Sequence, residues 1–305
     1  MTRTPVSLLA ALVLFPFSAA AQSSSGPSAA ITAAQITGDL RFLSSDLLEG
    51  RAPATRGGRL ATEYIADQLI AAGLEPGMAG SWFQTVPIDV VAADTTGMTI
   101  RTSGKAAETL RYPDDVMLWA GSATPNSSAR GEIVFVGYGA SAPEYHWDDF
   151  KNADVKGKIL LVLVNDPPAT KSEPRLFGGK AMTYYGRWTY KFEEAERRGA
   201  AGMLIIHTTA EASYPWHTVV SSWSGDQRTL PRDSTLPPPL GFRGWITDSA
   251  ATGLLAKAGL DLKALRRQAD ARDFHPVPTG ITLDVSFANR VRRMQTRNVV
   301  GLLRG

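Results

Sequence analysis

Three apolar runs, Glu132 to Tyr138, Lys158 to Asn165 and Met203 to His207, are continuous rather than alternating. A strand with one wet face alternates apolar and polar side chains. An unbroken run therefore suits a strand covered on both faces, with helices above and below the sheet. A helix is expected from about Trp188 to Arg198, ended by Gly199, between the last two runs. Helices near Asp248 to Ala258 and Asp261 to Ala269 follow a proline-rich link. This middle segment reads as a mixed α/β module.

Ahead of it the chain is differently built. Residues 1–21 have the form of a secretory leader: Arg3 as the charged region, an apolar run from Val6 to Phe17, and Ala19-Ala20-Ala21 as a small-residue cleavage site before Gln22. The apolar run falls short of the ~20 residues that a bilayer crossing needs, and no later segment reaches that length. Cleavage after Ala21 and export to the periplasm or the extracellular space are expected, with residues 22–30 as a flexible leader. Cysteine is absent, which excludes disulfides, thiolate metal sites and cysteine nucleophiles.

Folding is expected to begin at Thr32, an N-cap whose Gln35 completes a capping box, with Ile31 and Ile36 as a hydrophobic staple. Ile36, Leu40 and Leu43 continue at helical spacing, so one stripe of this helix is expected to face a core. A second helix spans about Gly58 to Ala72 and is stopped by Gly73. Between the two lies Asp46-Leu47-Leu48-Glu49-Gly50-Arg51. Short alternating runs from Trp82 to about Trp119 suggest strands. The polar stretch from Gly121 to Arg130 marks the best boundary in the chain. Two more strands are expected at the end, Ile281 to Phe287 and Asn298 to Leu303.

Several of these blocks together resemble secreted zinc aminopeptidases that carry an inserted protease-associated domain, the group that includes aminopeptidase Y and glutamate carboxypeptidase. The blocks are Asp46 to Arg51 with the helix after it, Gly131-Glu132-Ile133-Val134-Phe135-Val136-Gly137-Tyr138-Gly139, and Val155-Lys156-Gly157-Lys158. Further blocks are Thr183 to Lys191, Arg198-Gly199-Ala200-Ala201-Gly202 and Asn298-Val299-Val300-Gly301. The resemblance implies an α/β fold: an incomplete zinc-exopeptidase domain, made of N-terminal helices and edge strands of a mixed sheet, with an inserted mixed α/β protease-associated domain. Residues 31–118 and 280–305 would form the partial peptidase domain and residues 119–279 the insertion.

It also implies that the Asn-Val-Val-Gly strand precedes a strand ending in His-x-Asp, and then the aspartate, paired glutamates and final histidine of a two-zinc site. Gly305 is reached before any of these. The expectation is the N-terminal portion of an aminopeptidase, inactive alone, with no catalytic or metal residue and no zinc of its own. Its partners would be a peptide substrate for the parent enzyme and a separate C-terminal catalytic portion.

Other chemistries are weaker. His146-Trp147-Asp148 is itself a His-x-Asp, and Glu193-Glu194 is a carboxylate pair, so an autonomous metallohydrolase using His146, Asp148 and Glu194 is one alternative. Neighbouring glutamates on a helix point about 100° apart, however, and pairing to Arg197 and Arg198 on a solvated face suits them better. His207, at the end of an apolar strand, is expected to be packed and hydrogen-bonded. Gly137 to Ala142 fits a loose dinucleotide pattern but no helix follows it, and Ser222-Trp223-Ser224-Gly225 lacks the glycine that a nucleophile turn needs before its serine. Arginines 290, 292, 293, 297 and 304 read as guards of a strand edge rather than a nucleic-acid surface. With lysine plus arginine at 32 against 29 acidic residues, no large basic face is implied. A second alternative is a non-catalytic module that binds peptides or proteins.

Tyr184, Arg187 and Trp188 remain as substrate-binding candidates, because an arginine among aromatics can receive a carboxylate. Packing at a domain junction is the competing role for this cluster, and the favoured one.

Overall fold

The computed structural model describes residues 31–305; the leader and the stretch up to residue 30 lie outside the described residues. The order of elements is α1 (Ala33–Leu43), a helical turn over Asp46–Arg51, α2 (Arg56–Ala71), β1 (Glu75–Pro76), β2 (Phe83–Gly104), β3 (Val116–Ala120), β4 (Asn126–Phe135), β5 (Ser141–Ala142), β6 (Trp147–Asp148) and β7 (Ile159–Leu163). There follow α3 (Trp188–Arg197), β8 (Gly202–His207), α4 (Thr209–Ala212), α5 (Trp216–Trp223), β9 (Gln227–Thr229), β10 (Phe242–Thr247), α6 (Asp248–Lys257), α7 (Leu262–Ala269), β11 (Val277–Val299) and β12 (Gly301–Leu302). None of the described helices is long and apolar enough to cross a membrane.

One sheet of eight strands runs in the order β3-β10-β8-β7-β4-β11-β2-β9. Its centre, β4, β7, β8 and β10, is parallel, and β3 and β11 flank that centre antiparallel. The three apolar runs become β4, β7 and β8, and alternate residues of each enter opposite cores. Ile159, Leu161 and Leu163 join α6 and α7 on one side through Leu254, Leu255, Leu262 and Leu265. Leu160, Val162 and Val164 join α3 and α5 on the other through Phe192, Ala195 and Val219. Each fully buried side chain of this kind contributes about 1.5–3 kcal/mol, so this sandwich carries most of the apolar stabilisation.

Several sequence expectations change at the margins of this sandwich. The first expected terminal strand lies within the longer β11, which β2 pairs almost end to end, from Ile281 opposite Gly104 to Val299 opposite Phe83, and the second is divided between the end of β11 and β12, which pairs with β1. The short runs after Trp82 likewise merge into β2. The polar stretch 121–130 is no simple linker: β4 starts within it at Asn126, and Ser127 is buried. β3 spans residues 118 and 119, and β11 spans 279 and 280. The segment before Asp248 contains β10, which the sequence reading did not anticipate.

The N-terminal helices are placed quite differently. Thr32 and Gln35 form the expected capping box. Yet Ile36 and Leu40 are 49% and 61% exposed and α1 buries no residue, which corrects the expectation that its apolar stripe faces a core. What holds α1 is contact with α2: Phe42 packs on Tyr64 at 4.4 Å, and the Tyr64 hydroxyl donates to Asp39 at 2.7 Å. The turn over Asp46–Arg51 lies so close to α2 that a Cβ on Gly57 would stand 1.7 Å from the Leu48 carbonyl oxygen. Gly57→Ala is therefore expected to lower stability by about 1–3 kcal/mol, since backbone on both sides must shift. Gly38→Ala, with open space at its Cβ, should stabilise α1 by about 0.5–1 kcal/mol. Urea unfolding of both variants measures the pair.

Candidate functional site

The substrate-binding candidates lie on the turn before α3 and on its first residue. Trp188 is half-buried, edge-on to Trp223 at 5.3 Å, and Trp223 stacks on Trp119 of β3 at 3.9 Å. Its ring is thus part of the layer between α3, α5 and the sheet. Tyr184 is half exposed and donates its hydroxyl to Glu193, one helical face further along, at 2.8 Å. Arg187 is exposed, and its guanidinium makes no hydrogen bond or ion pair with the described residues. The three therefore divide: Trp188 packs, Tyr184 braces α3, and the Arg187 guanidinium is unpaired among the described residues.

A residue the sequence reading passed over stands at the centre of this region. Lys191 is fully buried on the stripe Trp188, Phe192, Ala195 that faces the sheet. Its ammonium donates to the carbonyl oxygens of Tyr138 and, at 2.9 Å, Asn165, which ties the loops after β4 and β7 to α3. Asp149, also buried, accepts from the Ala140 amide at 2.9 Å and from Trp147 Nε1 at 2.8 Å. Burial lowers the pKa of Lys191 from its ordinary 10.5, opposed by the charges of Asp149 and Asp166. Burial raises that of Asp149, opposed by its two hydrogen bonds and then by Lys191. A lysine within an apolar helical stripe was the available signal, and it was overlooked because a single charge usually snorkels to solvent.

The metal alternative fails on its geometry. His146 is exposed in a left-handed turn, not on a strand beside Asp148. Asp148 and Glu194 do approach one another, but around the Arg198 guanidinium, at 3.9 Å and 2.6 Å. A dication would have to displace that arginine. Glu194 is buried rather than solvated, because Arg197 at 2.8 Å also pairs with it, while Glu193 keeps the looser contact to Arg197 at 3.8 Å. His207 is buried, its Nε2 3.0 Å from the Tyr214 carbonyl oxygen, and burial lowers its pKa. Among the described residues no three of His, Cys, Asp and Glu gather into a set that could hold a metal. These residues do not fit a zinc pair, so no step through zinc is derived from them.

Three of the five C-terminal arginines are paired, Arg292 with Asp226, Arg297 with Glu63 at 2.7 Å and Arg304 with Glu75 at 2.9 Å, while Arg290 is exposed and pairs with none of the described residues. Arg293 lies 3.8 Å from Asp89 and is almost wholly exposed.

No family model matches the chain, and no curated protein matches it. Among solved structures it is similar to the aminopeptidase from Aneurinibacillus sp. strain AM-1, at 18% identity and a TM-score of 0.42, over 88% of this chain and 47% of that one. It is also similar to BSAP, a zinc aminopeptidase from Bacillus subtilis, at 15% identity and a TM-score of 0.33, over 87% of this chain and 45% of that one. The chain thus spans just under half the length of these structures.

Arg187→Ala should change stability by less than about 0.5 kcal/mol, whereas Trp188→Ala should cost about 2–4 kcal/mol by opening the stack on Trp223; thermal melts separate them. Lys191→Met should cost about 2–4 kcal/mol, because two carbonyls lose their donor and Asp149 its countercharge. A lysine with a lowered folded pKa binds fewer protons folded than unfolded between that value and 10.5. Its contribution to stability therefore rises with pH through this window and is complete above it. Urea unfolding from pH 7.5 upward should show that rise in the native sequence and its loss in Lys191→Met.

Proposed function

We propose that this chain is the N-terminal portion of an exported zinc aminopeptidase, which supplies the protease-associated domain and the first layer of the peptidase domain. Peptide hydrolysis would need residues outside residues 1–305. The reading rests on the ordered sequence blocks from Asp46 to Gly301 that resemble such enzymes.

It is supported by one structural observation, a sheet that stays uncovered at one end. Beyond Ala288, which pairs with Asn126, β11 continues to Val299 with β2 on one side and no strand on the other among the described residues. Ile36, Leu40, Ile65 and Ile70 on the nearby helices are 38–61% exposed. Unpaired strand backbone and exposed apolar side chains together are the signature of a layer built to be covered. In this reading a separate catalytic portion covers it and brings the zinc ligands and the general base. Tyr184 and Arg187 are proposed to receive a peptide carboxylate, and the protein to act in the periplasm or outside the cell.

The test is complementation. The chain alone should not release amino acid from leucine p-nitroanilide with or without zinc. Mixed with the polypeptide encoded immediately after codon 305, it should do so in a zinc-dependent, chelator-sensitive way. Zinc-restored activity of the chain alone would overturn the reading. So would a downstream sequence, in all frames, without His-x-Asp and paired glutamates.

A further inference from the structure

A crevice of about 360 Å³ opens beside the carboxyl ends of the parallel strands β7 and β8, with Asn165 and Asp166 on its floor and Glu211 on one wall. In open α/β sheets this end of the strands is where ligands bind, because the connecting loops separate there and leave backbone and side-chain polar groups accessible. Asn165 is conspicuous within it. It holds a left-handed backbone, φ 73°, its N–H donates to the Gly186 carbonyl at 3.2 Å, its Nδ2 donates to the Glu211 carbonyl at 3.0 Å, and its own carbonyl takes Lys191. Its Oδ1, shielded from solvent, accepts from no described residue. An orphaned buried acceptor costs about 1–3 kcal/mol, so it marks either a frustrated packing or a missing donor.

The opposite wall is a short flap. Phe177, buried against Trp147, fixes one end, and Gly186, buried against Asp166, fixes the other. Between them Lys180, Ala181 and Met182 are exposed, and the flap leaves Phe177 through two glycines at φ 75°. Its firm tie to the floor is Thr183, whose N–H and hydroxyl both donate to Asp166, at 2.7 and 2.8 Å. Two hydrogen bonds to one carboxylate therefore hold the flap against Asp166, and their rupture would free that carboxylate beside Asn165 in the crevice.

The geometry points to a flap-gated binding site in which residues 178–183 swing away and the Asp166 carboxylate, with Asn165 Oδ1, receives a small ligand bearing a primary ammonium. Both groups are pure acceptors, and with Thr183 gone neither has a donor, so a cation with several N–H donors satisfies them and an acetylated amine does not. The ligand replaces the Thr183 donors and also supplies the donor that Asn165 lacks. The site does not rest on the peptidase reading and is testable in the isolated chain.

The chain has no cysteine, so Ala181→Cys with Ala210→Cys, both at exposed positions lining the crevice, allows spin labels to report the flap distance directly. Leucinamide should shift the distance distribution toward longer separations, and N-acetyl-leucinamide should not. In calorimetry leucinamide should bind about tenfold more weakly to Asp166→Ala and to Asn165→Gly, the latter keeping the left-handed backbone without the carboxamide. Asp166→Ala should lengthen the distances without ligand while near-ultraviolet circular dichroism stays native. If Asp166→Ala does not fold, Thr183→Val, which removes one of the two ties, takes its place. An unchanged distribution with leucinamide, equal binding by both amides, or equal affinity of the native sequence and Asn165→Gly would overturn the proposal.

Discussion

Everything in this molecule is organised around strands that are buried on both faces. All five residues of β7 and all six of β8 are buried, and alternate side chains of each go to opposite cores. Such strands are stable only when both layers are present, since leaving either face open would expose a continuous apolar surface. The α6–α7 layer and the α3–α5 layer meet that demand from opposite sides. Because α3 is then locked by Phe192 and Ala195, Lys191, Glu194 and Glu196 on its inner side are held out of water. Lys191 ends beneath the sheet's carboxyl edge and holds loop carbonyls, while Glu194 and Glu196 each bind two arginines at the helix margin.

The β2–β11 pair joins this sandwich to a layer with much less apolar burial. The first half of β11 lies within the larger core through Ile281, Leu283, Val285 and Phe287. Its second half has a small apolar cluster, Ala54, Ile88 and Val90 with Met294 beside them. There the connections are largely polar: Arg297 over the Phe83 ring at 3.7 Å and bonded to Glu63, and Arg304 to Glu75. Exposed ion pairs of this kind contribute little individually, about 0–1 kcal/mol. The contrast in apolar burial between the two halves is what links the fold to the proposed role as one portion of a larger peptidase domain.

What was legible in the sequence was what is local or periodic. The capping box at Thr32 needs only three residues of spacing, and the buried strands announce themselves by lacking alternation. What was not legible depended on partners distant in sequence. The polar run Ala288-Asn289-Arg290 does not look like strand, and becomes one because β2 lies opposite it. The stripe of α1 was correctly periodic, but periodicity says which face could be buried, not that anything is there to bury it. β10 was not anticipated, since the segment before Asp248 was described only as a proline-rich link. In the fold a Cβ at Gly244 would stand 2.8 Å from the Met117 carbonyl oxygen, so the glycine permits the close approach of β3. At the candidate site Trp188 was a substrate-binding candidate with packing as its favoured competing role, whereas Lys191 and Asn165 take their meaning from loops that only the folded chain assembles.

The central claim is that one completed two-sided core carries the stability of the chain, and that the N-terminal helices and the far half of β11 are attached to it without a core of comparable depth. Amide hydrogen exchange measures this region by region. The account predicts that residues 133–135, 159–163, 202–207 and 242–247 exchange through global unfolding alone, while residues 33–43, 56–71 and 290–299 exchange through much easier local opening. Equal protection of the two groups would contradict it.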